Sequence, residues 1–533
     1  MNGKRPTVAS VHGMVAAAHP LAAAAGARIL AEGGNAFDAA VAAAAALNVV
    51  EPNMSGLAGS GMATCWIAGE RQVRSLAFRA PIPSQIPMGR FHHREELHRG
   101  AMAAMAPGSL AGWFALHAHG RRPIADCFAP AIGLAEGGFP MLEFNASQIN
   151  AASGQLRGEP AYSEWNRVYM DGRGAVAVGD ILRQPDLART YRAIAADGLD
   201  HLYGGALGRA MVAHIQALGG CLTEADLTAP IVRWLDPISA RYRDLLVHTP
   251  PPSSQSFQFL LALRILDGFD VSALERNGLA HLDLAWRAVR LSAGARIAHD
   301  NPDPERLAWL LSDQHVAELR IRAGDGMPIY GPTEQWTAPA AAPTKVHQQH
   351  TTSFSIVDAE GNMICLTQSL GAGFGCGVVI PGTGVCMNNA LYWGELDQRS
   401  PNALRPGGML MSAMAPSISL RRGRPVLALG TPGSYGICQT QPQAMMQHVD
   451  FGLGIQDAID APRARLLDGR RVQAESRFSE ATLVALRNRG HDVEAAASFT
   501  MAVGGMQAIA YDPDSGVMTG AADPRRDGYV ATA

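Results

Sequence analysis

Charge is scarce in this chain. Asp, Glu, Lys and Arg make up 17% of its 533 residues and the net charge is -3. That excludes the electrostatic footprint of a nucleic-acid or anionic-membrane binder. No apolar run is long enough to span a bilayer; the longest covers 39–50. The first residues, Met1-Asn-Gly-Lys-Arg-Pro, carry two positive charges with no apolar stretch behind them, so a cytoplasmic location without a signal peptide is expected. The cysteines, Cys65, Cys127, Cys221, Cys365, Cys376, Cys386 and Cys438, are odd in number, scattered and free of any CxxC pair. This argues against a disulfide framework and a zinc site, and all seven read as small buried hydrophobes. His92, His93 and His98, and likewise His347 and His350, read as solvated loop residues rather than metal ligands. What the chain does have is 47% hydrophobic residues, enough for a large core.

The pattern predicts an Ala-rich helix from Leu21 to Glu32, stopped by Gly33-Gly34, and a second, nearly all-apolar helix from Phe37 to about Val50, hence a buried one. Strands are expected at Met62–Ile67 and Val73–Phe78. From Met102 to Leu235 the pattern is mostly helical. Further helices are expected at Gln255–Leu266 and, amphipathic, at Leu279–His299. Strands return at Ser417–Leu420, Val426–Leu429 and Gln507–Tyr511, with a helix start at Gly433-Ser434. Helices fall early and strands late, so the class is α+β with helices packed on sheets.

The stretch that organises the rest is Gln349 to Leu370. Apolar and hydroxyl residues alternate from Ser353 to Ile356, the mark of a half-buried strand. Asp358-Ala-Glu-Gly361-Asn362 reads as a turn and Met363–Leu370 as the return strand. A soft segment, 337–350, precedes the hairpin. By pattern alone Thr351 is a residue with good β propensity at a strand's start. The Gly371–Gly377 run lacks the Lys-Ser/Thr of a phosphate loop, and Gly59-Ser60-Gly61 lacks the outer glycines of a nucleophile elbow.

Several segments in order then resemble the γ-glutamyltranspeptidase family of N-terminal nucleophile hydrolases. They are His19-Pro20-Leu21, Glu32-Gly-Gly-Asn-Ala-Phe-Asp-Ala-Ala40, Val50-Glu-Pro-Asn-Met-Ser-Gly56, Phe78-Arg79, Pro107-Gly-Ser109, Pro250-Pro-Pro-Ser-Ser254, Thr351-Thr352, Asn388-Asn389 and Pro432-Gly433-Ser434. The resemblance implies an αββα sandwich made as one precursor. Cleavage between His350 and Thr351 would give a large subunit, 1–350, and a small one, 351–533, intertwined as one unit, with room for a dimer of such heterodimers. It implies Thr351 as nucleophile, its freed amino group as base, Ser369 as a hydroxyl partner, and the N–H groups of Gly433 and Ser434 as an oxyanion hole. No metal or organic cofactor is implied.

At the substrate end, Arg79 and Ser412, with Ala413, stand where the glutamyl enzymes clamp a carboxylate. Their ammonium-binding residues are replaced: Gly371 stands for an Asn, Ala390 for a Gln, and Trp393, beside Tyr392, for an Asp. Tyr392 and Trp393 also read as plain core packing. Glu395 is the anionic partner if the register slips. The expected substrate is therefore a small carboxylate-bearing amide without an α-amino group, oxamate-like before glutaryl-like. A γ-glutamyl hydrolase or transpeptidase and an unprocessed binding homologue are the alternatives.

Overall fold

The computed structural model describes residues 5–229, 231–334 and 350–533. The soft segment ahead of Thr351 therefore lies, up to residue 349 and with His347, outside the described residues, as does most of the N-terminal stretch read for a signal.

Two seven-stranded antiparallel sheets lie face to face. One runs in the order Tyr529–Thr532, Gly13–Ala17, Thr352–Asp358, Met363–Ser369, Ser60–Ile67, Gln72–Phe78, Val232–Leu235. The other runs Val8–Ser10, Met518–Ala522, Gln507–Tyr511, Arg424–Gly430, Ser417–Arg421, Leu245–Thr249, Ile238–Tyr242. Met14, Trp66, Val357, Met363, Ile418, Ala428 and Ile509 fill the space between them. Helices cover both outer faces. Pro20–Ala31 and Ala36–Val50 lie on the first sheet, and Phe257–Leu266 on the second, with Leu279–Ala298 packed against Phe257–Leu266. This is the four-layered αββα sandwich.

The helix Ala36–Val50 shows how the sequence builds this. Asn35 caps it, its side chain accepting from the N–H groups of Phe37 and Asp38 while Asp38 reaches back to the Asn35 N–H. All fifteen residues are buried. Its many alanines let it sit between sheet and neighbouring helices without side-chain bulk.

Three expectations need correction. The strand at 352–358 is buried on both faces, not half-buried, because helices cover one side and the second sheet the other. Strands do not simply follow helices in the chain: N-terminal strands Gly13–Ala17, Ser60–Ile67 and Gln72–Phe78 sit in the same sheet as Thr352–Asp358. The helix Leu279–Ala298 is buried nearly all round rather than amphipathic, since it packs among several other helices.

Candidate active site

Thr352–Asp358 pairs with Met363–Ser369 across the turn at 358–362, with Thr352 opposite Gln368. The same register brings Ser369 opposite Thr351. The Thr351 hydroxyl lies 2.7 Å from the carbonyl oxygen of His350 and 3.2 Å from the Ser369 hydroxyl. Ser369 Oγ is also 2.7 Å from that carbonyl oxygen and accepts from the Gly371 N–H at 2.9 Å. The carbonyl of Thr351 accepts from Arg526 at 2.7 Å, and the Thr352 hydroxyl donates to Glu51 at 2.7 Å. The residue is thus gripped on both sides of its Cα while its hydroxyl rests against the preceding peptide.

Around it is a pocket with about 390 Å³ of empty space, lined by Ser60, Arg79, Thr351, Ser369, Gly371, Ala390, Trp393, Ser412, Ala413, Met414, Ser434 and Ile437. Arg79 is buried, and its guanidinium reaches only the Ser253 carbonyl, at a long 3.5 Å. It has no ion pair among the described residues, and burial pulls its pKa down to about 10. A buried cation without a counter-charge is costly. An Arg guanidinium is shaped to grip a carboxylate with two parallel hydrogen bonds. No carboxylate lines the pocket among the described residues.

Gly433 and Ser434 precede the helix Ile437–Met445, with φ of 140° and 55°. Neither N–H has an acceptor among the described residues. Two unfilled backbone donors beside a hydroxyl are what an oxyanion needs.

Glycines allow close packing beside this pocket. A Cβ on Gly61 would stand 2.4 Å from the Phe78 ring, and one on Gly108 2.4 Å from the Phe78 carbonyl. At Gly371, where φ is +103°, a Cβ would fall 2.1 Å from Asn389 Oδ1. An Asn in its place would collide with Asn389. The 371–377 loop turns its carbonyls on a cation, since Arg99 donates to those of Gly373 and Gly375 at 2.6 Å each. A phosphate cradle presents N–H groups instead.

Thr351, Ser369, Arg79, Ser412, Trp393 and Ser434 meet at one pocket, and Gly433 adjoins it. Tyr392 does not line it. Its ring packs under the Arg94 guanidinium at 4.5 Å and beside His98 at 5.1 Å, while Trp393 turns inward against Tyr435. Glu395 is buried outside the lining. His350 is not a solvated loop residue but 6% exposed, and burial drives its pKa down to about 3. Asp38, His117 and Cys127 cluster at metal-binding distances. Yet Asp38 is occupied by the N–H groups of Asn35, Arg121 and Arg122, as a structural cap would be.

Sequence reasoning missed Arg526, Glu51 and Ser60. Arg526 follows a turn held by buried ion pairs of Arg525 with Glu475 at 2.6 Å and with Asp523 at 3.1 Å. No local pattern marks a charge that becomes buried only through such distant partners. Ser60 lay in a motif rejected as a nucleophile elbow, and its place on the lining comes from strand pairing opposite Ser369.

The gamma-glutamyltranspeptidase family model matches residues 22–533. The chain belongs to that family. It is 34% identical to the acylase ACY 1 proenzyme of Pseudomonas sp. (strain SE83), over 98% of this chain and 94% of that protein. It is 30% identical to the oxamate amidohydrolase proenzyme of Klebsiella pneumoniae subsp. pneumoniae, over 98% of each. Glutathione hydrolase proenzymes are also among its relatives. Its fold matches the crystal structure of cephalosporin acylase from Bacillus halodurans with a TM-score of 0.90 and 31% identity, covering 100% of this chain and 98% of that one. As a member of this family of gamma-glutamyltranspeptidase-like N-terminal nucleophile hydrolases, the chain is a self-processing amidohydrolase whose precursor gives two subunits. Among the described residues no helix is long and apolar enough to cross a membrane.

Proposed function

We propose that the precursor cuts itself between His350 and Thr351 and that the mature enzyme hydrolyses the amide of a small carboxylate that carries no α-amino group. Oxamate-like substrates come first and glutaryl-like ones second.

The Thr351 hydroxyl attacks the His350 carbonyl carbon, the C–N bond breaks, and the acyl group passes to Oγ as an ester. Water hydrolyses the ester and frees the Thr351 amino group. The position of that hydroxyl, 2.7 Å from the carbonyl oxygen, supports this step. Residues 1–350 and 351–533 then form the two subunits. Both contribute strands to the sheet that holds Thr351, so cutting the link leaves the fold joined.

In the mature enzyme the α-amino group, with a pKa near about 8, takes the Oγ proton as Oγ attacks the substrate amide. The Gly433 and Ser434 N–H groups receive the oxyanion. The leaving amine departs with a proton, and water clears the acyl ester. Ser369 holds Oγ in place, and Arg79 with Ser412 grips the substrate carboxylate.

One observation carries the choice of substrate: among the described residues Arg79 is a buried cation with no ion pair, in a pocket lined by no carboxylate. An α-ammonium brought here would lose its water and gain no anion, at a cost of several kcal/mol. Kinetics of the processed enzyme on oxamate, glutaryl anilide and γ-glutamyl anilide test this. Turnover is expected on the amino-free acids. Efficient cleavage of the γ-glutamyl anilide, accelerated by glycylglycine, with the other two untouched, restores the transpeptidase reading.

A further inference from the structure

Ser434 carries two local costs that a glycine would not. Its φ is +55°, in the left-handed region that side chains with a Cβ disfavour. Its residue is 3% exposed, and its hydroxyl is buried with no hydrogen-bond partner among the described residues. A buried hydroxyl left unpaired is destabilising. Nothing in the fold uses this side chain: the turn needs only the backbone, which runs from Gly433 into Ser434–Gly436 and the helix behind it. Strain of this kind at a site lining points to a use in function. Ser434 lines the same pocket as Thr351, and its N–H is one of the two unfilled donors.

We propose that the Ser434 hydroxyl is a third donor to the oxyanion formed when Thr351 attacks the substrate amide. This rests on the nucleophile assignment above and goes beyond it. In either gauche rotamer the N and Oγ atoms of one serine lie about 3 Å apart, so an oxygen that accepts from the N–H comes within hydrogen-bond reach of the hydroxyl. As the carbonyl becomes tetrahedral its oxygen gains charge, and the hydroxyl proton, unshared in the free enzyme, turns to it. No proton is transferred; the hydrogen bond strengthens and then relaxes as the ester forms. The interaction exists mainly in the transition state, so it acts on kcat rather than KM.

Self-cleavage has a different geometry. The His350 carbonyl oxygen is already met by the hydroxyls of Thr351 and Ser369, each at 2.7 Å. Ser434 makes no hydrogen bond to it. Processing and turnover are therefore separable at this residue.

The experiment compares Ser434→Gly, Ser434→Ala and Thr351→Ala with the native enzyme, on the small amide that the native enzyme turns over. Ser434→Gly keeps the N–H and removes both costs; Ser434→Ala keeps the backbone conformation and removes the hydroxyl alone. Both are expected to run as two bands, to melt no lower than the native protein, and to lose about 10- to 100-fold in kcat with KM within about twofold. Native kcat in Ser434→Gly overturns the inference. So does a loss confined to KM, or one that tracks a fall in melting temperature. If Thr351→Ala is inert while both Ser434 variants keep native kcat, only this inference fails. If Thr351→Ala still cleaves itself and turns substrate over, the nucleophile reading fails instead.

Discussion

Ser369 Oγ stands 3.2 Å from Thr351 Oγ1, and both reach the carbonyl of His350 at 2.7 Å. The pair sits at the open end of a hairpin whose register, set six residues away by the turn, leaves no freedom at that end. A strand pairing that slipped by one residue would turn Ser369 to the other face.

Removing either hydroxyl has distinct consequences. Thr351→Ala is expected to leave one uncut chain of 56.3 kDa on a denaturing gel and no amidase activity. Ser369→Ala keeps the attacking group but loosens it and leaves the carbonyl with one donor fewer. Maturation is expected to slow by about 10²- to 10³-fold, a loss typical of one charge-stabilising donor, read as the time course of the second band.

Arg79→Met exchanges a buried cation that has no ion pair among the described residues for an apolar side chain. The free protein is expected to gain stability, raising its melting temperature, because an uncompensated buried charge is removed. Activity moves the other way: kcat/KM on the carboxylate substrate is expected to fall by about 10²- to 10³-fold as the carboxylate loses its partner. A variant both less stable and fully active would show that Arg79 only supports the fold.

Trp393→Asp places a carboxylate on the pocket wall. It is expected to raise kcat/KM for a γ-glutamyl anilide by at least about tenfold and to lower it for the amino-free acid, as a new attractive and a new repulsive element together shift specificity. The companion change Gly371→Asn is expected to unfold or destabilise the protein, because the Cβ meets Asn389 at 2.1 Å and φ is +103°. Side-by-side kinetics and thermal melts check both.

Glu51 gives a pH dependence. Burial, partly offset by Arg526 and the Thr352 hydroxyl, lifts its carboxyl from 4.5 to about 7. The folded value lies above the unfolded one, so the fold favours the neutral acid. The contribution to stability is full below pH about 4.5 and is lost as pH rises through about 7, on the order of 3 kcal/mol in all. Glu51→Gln is neutral throughout and is expected to match the native protein at pH 4.5 and to exceed it at pH 8. Equal melting temperatures of the two proteins at both pH values would mean that Glu51 is ionised in the fold at no cost.

Much of the fold was legible in the sequence. The helices at 20–31 and 36–50 and the hairpin at 352–369 are written in local patterns: an apolar run, a cap, an alternation broken by Asp358 and Gly361. Short strands such as Gly13–Ala17 and Met518–Ala522 were not foreseen, since each is shaped by its partners in the sheet more than by its own residues.

The sequence by itself determined which groups are available: a threonine opening a hairpin, a hydroxyl across from it, an arginine after Phe78, and a Gly-Ser pair ahead of a helix. Hairpin register is local, so even the meeting of Thr351 with Ser369 was within its reach. Only the tertiary structure decided that Trp393 faces the pocket while Tyr392 turns away to Arg94, that His350 is buried, and that Arg526 arrives from the far end of the chain to hold the Thr351 carbonyl. Those outcomes depend on which surfaces are removed from water together, and burial is a property of the packed whole that no neighbouring residues in the chain encode.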